Sequence, residues 1–128
     1  MNRLTLAIAT FNEEANIGDC IKSAGRISDE VVIVDGGSTD RTVEIAKSMG
    51  ARVEVSENYP IFHINKQKAM DMAKYDWILQ LDADERVSQK LADEIGKILS
   101  MNPKEISMYE ERLKNKTLNI SIHFIIFS

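Results

Sequence analysis

The chain of 128 residues is poor in the side chains that build covalent or metal cross-links, holding one cysteine, Cys20, and two histidines, His63 and His123. A lone cysteine excludes an internal disulfide and a cysteine-based zinc site, and suits a reducing compartment. The two histidines have no paired ligand in the sequence and read as structural. No run approaches the roughly 18–20 apolar residues that span a bilayer. The longest late stretch, 118–127, is broken by Asn119, Ser121 and His123. Asn2-Arg3 lead into a short strand-like run broken by Asn12-Glu13-Glu14, so a secretion signal is not expected. The expectation is a soluble, cytoplasmic domain, with peripheral attachment to the inner face of a membrane left open. With a net charge of −4 and no cluster of Lys and Arg, the chain lacks the electrostatic footprint of a nucleic-acid binder. A Walker-type phosphate loop, a Ser/His/Asp order, internal repeats and low-complexity linkers are missing too.

What is present is an ordinary globular composition, 44% apolar and 28% charged, in a length that suits one core. Residues 4–10 hardly alternate and read as a strand buried on both faces. Residues 14–24 carry Ile17, Cys20, Ile21 and Ala24 at helical spacing. Residues 30–35 form a second strand. A helix follows to Met49, capped by Ser38 or Thr39 and stopped by Gly50. Residues 52–56 read as a short third strand and Asn58-Tyr59-Pro60 as a loop. Residues 65–74 read as a polar helix turning Ala69, Met70 and Ala73 to the core. Residues 77–82 make a fourth strand, and Ser88 opens a helix that Asn102-Pro103 stops. After Pro103 the pattern weakens, and 106–113 and 118–127 read as further strands. Alternating strands and helices imply right-handed crossovers and a mostly parallel α/β sheet with helices on both faces.

Two strands end in acid. Trp77-Ile78-Leu79-Gln80-Leu81 runs into Asp82-Ala83-Asp84-Glu85, and Val31-Val32-Ile33-Val34 runs into Asp35-Gly36-Gly37-Ser38. Carboxylates at the end of a buried strand are costly without a cation. Their hard oxygens suit Mg²⁺ or Mn²⁺, ions that also hold substrate phosphates. On a continuing strand Asp82 and Asp84 would lie roughly 6–7 Å apart, so one ion meets both only if the loop curls. The competing reading is a solvated acidic turn. Asp35 is positioned for a ribose hydroxyl or a base edge, unless it only starts a turn; its glycines would let a ligand approach the backbone. Asp40 reads equally well as a helix cap. Thr10-Phe11-Asn12-Glu13-Glu14 ends the first strand at the same edge and could hold a nucleobase, with Glu14 assigned to the helix dipole and Glu13 open between the two roles. Lys68 is a weak candidate for a donor phosphate at a helix start, with Lys66 left on the surface.

Together these stretches resemble the family 2 glycosyltransferases, which have a GT-A fold and use nucleotide-sugar donors. The matching segments are Ala9–Glu14, Val32–Thr42 and Trp77–Glu85, in order and spacing, across about the first hundred positions. Leu81-Asp82-Ala83-Asp84-Glu85-Arg86 and the Lys68 region are most similar to bacterial transferases of lipopolysaccharide cores. The resemblance implies that Thr10, Asn12 and Glu13 line a nucleotide pocket, that Asp35 contacts base or ribose, and that Lys68 lies near the donor. It further implies that Asp82 and Asp84 are the D-x-D pair holding the metal, with Asp82 also facing the nucleotide. The implied activity is metal-dependent, inverting transfer of a sugar, UDP-linked by expectation, to a glycan or lipid-linked acceptor.

The whole of 1–128 is expected to be one such domain, family-like to about 103. Relatives of this type run longer and carry their catalytic base in the later half, so the expectation is a donor-binding half, truncated at its C-terminus, with the base beyond Ser128 and a bare apolar strand covered by self-association. The alternatives are a non-catalytic nucleotide-sugar-binding module or remnant and, further behind, a nucleotidyltransferase.

Overall fold

The computed structural model describes residues 2–59, 63–114 and 124–126. Its sheet is built from β1 (Leu4–Thr10), β2 (Glu30–Asp35), β3 (Arg52–Val55), β4 (Trp77–Asp82) and β5 (Phe124–Ile126). The spatial order is β3-β2-β1-β4-β5, with the first four strands parallel and β5 antiparallel to β4. Between the strands lie α1 (Ile17–Ser23), α2 (Thr42–Ser48), α3 (His63–Asp71), α4 (Gln89–Leu99) and α5 (Pro103–Lys114).

The unalternating strands reflect burial on both faces. Leu4, Leu6 and Ile8 of β1 join Ile33, Leu79 and Leu81 on one face, packed against Ile17, Cys20 and Ile21 of α1, Ala46 of α2 and Ile95 of α4. On the other face Ala7, Val32, Val34 and Ile78 meet Ala69 of α3. Small side chains at Ala7 and Ala69 let that helix sit close to the sheet. The parallel α/β expectation with helices on both faces therefore holds. Fully burying one such Ile or Leu stabilises the fold by about 1.5–3 kcal/mol. Cys20 packs as expected, as a small apolar group at 0% exposure. Burial pushes its thiol up to about 12, partly offset by Arg86, so no thiolate nucleophile is available there.

The expected strand at 106–113 is a helix. Asn102 and Pro103 do end α4, but the same pair starts α5. Proline's fixed φ suits the first helical position, and Asn102 Oδ1 accepts from Glu105 N–H at 2.9 Å. Ile106 packs on the main core from that helix. Of the expected strand at 118–127, Phe124–Ile126 pairs with β4, and the rest lies outside the described residues, as do Pro60 of the expected loop and His123. Helix starts also shift. α1 begins at Ile17 because Glu13 O takes the N–H groups of Asn16 and Ile17 in a turn. Ser88 caps α4 as expected, its Oγ accepting from Leu91 N–H at 3.1 Å.

Glu30, at the start of β2, joins three elements. Its carboxylate accepts from Thr5 Oγ1 at 2.8 Å, Lys74 N–H at 2.9 Å and Arg52 at 3.3 Å. Burial alone would raise its pKa; the bonds from Lys74, Thr5 and Arg52 outweigh it and hold the carboxyl below its usual 4.5. A depressed carboxylate contributes stability that is present above its ordinary pKa and lost as pH falls through the folded value. The stability difference between the native chain and Glu30→Gln should accordingly be constant near neutrality and shrink below about pH 4.5, as read by denaturant melts across pH.

Candidate functional site

Parallel pairing brings three strand ends to one edge. Thr10 lies opposite Asp35, and Ala9 opposite Asp82. The chain winds from β1 outward to β2 and β3, then crosses back to set β4 on the other side of β1, so the order reverses between β1 and β4. Ligands of open α/β sheets bind at such a reversal, outside the carboxyl ends. A cleft of about 350 Å³ opens there, lined by Ala9, Thr10, Phe11 and Glu13 at the end of β1 and just past it, Asp82, Ala83 and Asp84 at the end of β4 and just past it, and Asn58, Tyr59 and Asn65 across from them.

The loops behind β1 and β2 are laced together. Thr10 Oγ1 donates to Asp35 Oδ1 at 2.7 Å, and Asn12 N–H to Ser38 Oγ at 2.8 Å. Thr39 N–H donates to Asn12 Oδ1 at 2.8 Å, and Glu13 N–H to Thr42 Oγ1 at 2.8 Å. Glu14 N–H meets Asp40, and Arg41 N–H meets Glu14. Each such bond contributes about 0.5–1.5 kcal/mol net. Together they fix the rim on which Thr10 and Glu13 stand. They also explain why α2 starts at Thr42 rather than after Ser38 or Thr39, whose polar groups face the loop. Asp40 instead accepts from the Thr42 N–H at 3.0 Å and from its hydroxyl. Slight burial works upward on the Asp40 carboxyl, but those two bonds carry it below the ordinary range. The helix-end role of Asp40 is what the structure shows.

Asp35 is 0% exposed. Its carboxylate accepts four hydrogen bonds, from Thr10 Oγ1, Gly37 N–H, Ser38 N–H and Ser38 Oγ. It lies beneath the rim and is not among the cleft-lining side chains. Both glycines are built into this turn. Gly37 has φ +86, and a Cβ on Gly36 would stand 3.2 Å from Asn58. Asn12, at φ +51, is the other positive-φ position of the rim, which asparagine tolerates. It bridges the two loops and does not line the cleft.

At the far end, β4 stops at Asp82, and Glu85 N–H closes a turn onto Asp82 O at 2.9 Å. The loop therefore curls, and Asp82 and Asp84 share one cleft. Glu85 Oε1 holds the Asp82 N–H at 2.8 Å, which directs Glu85 to the turn. Lys66 is the lysine that reaches the acids. Its Nζ is 2.8 Å from Asp82 Oδ1 and its side chain is only 20% exposed. That corrects the expectation of Lys66 as a solvated surface charge. Lys68 instead bonds Ser56 Oγ at 2.9 Å and sits 4.9 Å above the Tyr59 ring, behind a residue of the cleft wall. Thr10, Glu13, Asp82 and Asp84 are thus brought together, while Asn12, Asp35 and Lys68 stand behind the wall. Phe11 of the first motif lines the cleft too, and Asn58, Tyr59, Asn65 and Lys66 complete a site that the sequence motifs did not announce.

No group of three His, Cys, Asp or Glu side chains among the described residues is arranged to hold a metal. Of the three carboxylates lining the cleft, Asp82 and Asp84 stand together at the end of β4, and two such oxygens are the protein share typical of Mg²⁺ bound with substrate phosphates. Among the described residues no helix is long and apolar enough to cross a membrane.

The family model described as Glycosyl transferase family 2 matches residues 5–110. An uncharacterized glycosyltransferase of Rickettsia typhi is 45% identical over 100 residues, 78% of this chain and 34% of that protein. The lipopolysaccharide core biosynthesis glycosyltransferase LpsC of Rhizobium meliloti is 33% identical over 106 residues, 76% of this chain and 37% of that protein. The chain spans about a third of the length of these curated relatives. A crystal structure of glucosyl-3-phosphoglycerate synthase from Mycobacterium tuberculosis, in complex with Mn²⁺, UDP and glucosyl-3-phosphoglycerate, matches with a TM-score of 0.62 at 24% identity over 77% of this chain and 40% of that one. S. aureus TarS matches with a TM-score of 0.63 at 22% identity over 75% of this chain and 32% of that one. These two likenesses speak to the fold, and the fold is GT-A. By sequence, the chain belongs to glycosyl transferase family 2.

Proposed function

We propose that the cleft binds the nucleoside diphosphate of a sugar donor, UDP-linked, together with Mg²⁺ or Mn²⁺, in an enzyme that transfers the sugar with inversion to a glycan or lipid-linked acceptor. The observation that carries this reading is the pair Asp82 and Asp84 at the sheet reversal, in the same cleft as Thr10 and Glu13. Support comes also from LpsC, named for lipopolysaccharide core biosynthesis, and from the structural neighbour bound to Mn²⁺ and UDP. The acceptor, a cytoplasmic or inner-membrane-face location, and 1–128 as one donor-binding domain belong to the same proposal.

The residues present suit a divalent ion. Asp82 already carries a cation, since the Lys66 ammonium lies 2.8 Å from it. Asp82 and Asp84 would hold the metal, and donor phosphates and water would complete its shell. Bound there, the metal would neutralise charge on the departing diphosphate. Thr10 and Glu13 would form the wall beside the nucleotide, held by the bonds to Asp35 and Thr42. Lys66 would move between Asp82 and the phosphates. The base that deprotonates the acceptor is not assigned to any residue of this chain.

Incubation with UDP-sugars and Mn²⁺, following release of UDP with and without candidate acceptors, tests the activity. Binding without release of UDP leaves the non-catalytic sugar-nucleotide module. A second measurement bears on Lys66. Lys66→Met should tighten Mn²⁺ binding in the absence of nucleotide roughly threefold to tenfold, because an ammonium no longer competes for Asp82. Water proton relaxation on Mn²⁺ titration reads this directly, and unchanged affinity would separate Lys66 from the metal position.

A further inference from the structure

Resting on the donor-site reading above, we infer that Asn65 reads the nucleoside half of the donor, its Oδ1 accepting a hydrogen bond from a base N–H or a ribose hydroxyl. Asn65 stands in the first turn of α3, lines the cleft and is 8% exposed. Its Nδ2 donates to Glu57 O at 2.8 Å. Only the amide nitrogen can meet a carbonyl, so this bond fixes which end of the side chain is which. Oδ1 is buried and has no hydrogen-bond partner among the described residues. A buried acceptor left unmet is costly and rare in native proteins. In a cleft wall it is satisfied when a ligand brings a donor.

The ligand's own chemistry narrows that donor. A diphosphate offers only acceptors and negative charge, which an amide oxygen does not recognise. The N–H and O–H groups of a nucleoside diphosphate lie on its base and ribose. The location agrees. Glu57 and Asn58 follow β3, and Asn58 backs onto Gly36 at the end of β2, where a Cβ would meet it at 3.2 Å. Asn65 is therefore tied to the β2 side of the cleft, and the acidic pair stands on the β4 side. A nucleotide whose phosphates lie at Asp82 and Asp84 would extend its nucleoside toward Asn65. The acceptor that the motifs put forward for this task, Asp35, is buried with four donors already bonded to it.

Calorimetry in Mn²⁺ with UDP, N3-methyl-UDP, 2′-deoxy-UDP, 3′-deoxy-UDP and pyrophosphate tests this, on the native chain and on Asn65→Leu. Asn65→Leu should weaken UDP roughly threefold to tenfold and leave pyrophosphate unchanged. The native chain should lose the same factor with the N3-methyl analogue if the base is read, or with one deoxy analogue if the ribose is read. Asn65→Leu should be indifferent to that change. The analogue series on the native chain decides the question even if the variant fails to fold. Equal binding of all the UDP analogues overturns the inference. So does a variant that binds UDP as tightly as the native chain, or one that weakens UDP and pyrophosphate alike, which would mark Asn65 as a ligand of the metal or a wall of the phosphate pocket. Failure of the native chain to bind UDP at all removes the donor-site reading itself, a different result from the loss of Asn65 alone.

Discussion

Calorimetric titration of the chain with UDP should give clear binding in Mn²⁺ and binding weaker by orders of magnitude in EDTA. Asp82 and Asp84 line the cleft that a diphosphate must enter, and Lys66 offsets them in part from 2.8 Å off Asp82. Two like unit charges 4 Å apart repel by about 4 kcal/mol at an effective dielectric constant of 20. One such uncompensated contact is a factor of roughly a thousand in affinity. A divalent ion between carboxylates and phosphates reverses the sign. Asp82→Asn and Asp84→Asn should each weaken UDP in Mn²⁺ by roughly tenfold or more, while in EDTA they should improve whatever residual binding exists. That crossed pattern is what a metal bridge produces and a purely structural acid does not. Equal UDP binding in Mn²⁺ and EDTA would remove the metal role from both aspartates and return Asp82 to its ion pair with Lys66.

Much of the fold is legible in the sequence alone. Strands 4–10, 30–35 and 77–82 come out with the expected bounds because a buried parallel strand is a continuous apolar run, and the acid that ends each of the last two marks the sheet edge. Where the expectations fail, the reasons are local. The stretch 106–113 in fact spaces Ile106, Tyr109 and Leu113 at i, i+3 and i+7, a helical pattern, behind the Asn102 cap and Pro103 at the first helical position, a pair that also reads as a stop for the helix before it. Lys66 is legible in principle. If Ala69, Met70 and Ala73 face the sheet, Lys66 lies one turn before them on the same side, whereas Lys68 is about 200° away from it. The cleft wall at Asn58, Tyr59 and Asn65 is not legible, because it is brought there by the fold and not by any motif. The lacing of the β1 and β2 loops is equally hidden. Thr10 and Asp35 are 25 positions apart, and nothing but the parallel register sets them side by side.

Asp35→Ala should cost the fold about 3–5 kcal/mol, which lowers the thermal midpoint by roughly 10–20 °C for a domain of this size. The substitution removes the common acceptor of Thr10 Oγ1, Gly37 N–H, Ser38 N–H and Ser38 Oγ in a place with no solvent access. A buried donor stripped of its acceptor loses about 1–3 kcal/mol, and the two backbone N–H groups cannot turn to find another. The two hydroxyls can. Asp35→Asn should therefore be milder, about 1–2 kcal/mol, with its Oδ1 turned to the N–H groups and its amide nitrogen donating to hydroxyls that rotate to accept. If Asp35 acts by holding the rim, Asp35→Asn keeps UDP affinity within about threefold of the native chain at its modestly lowered midpoint. Thermal melts and UDP titrations of both variants decide the matter together. An unmoved midpoint with a large loss of UDP affinity would give Asp35 the direct contact with base or ribose that its motif implies, and would require the turn around Gly36 and Gly37 to open when nucleotide binds.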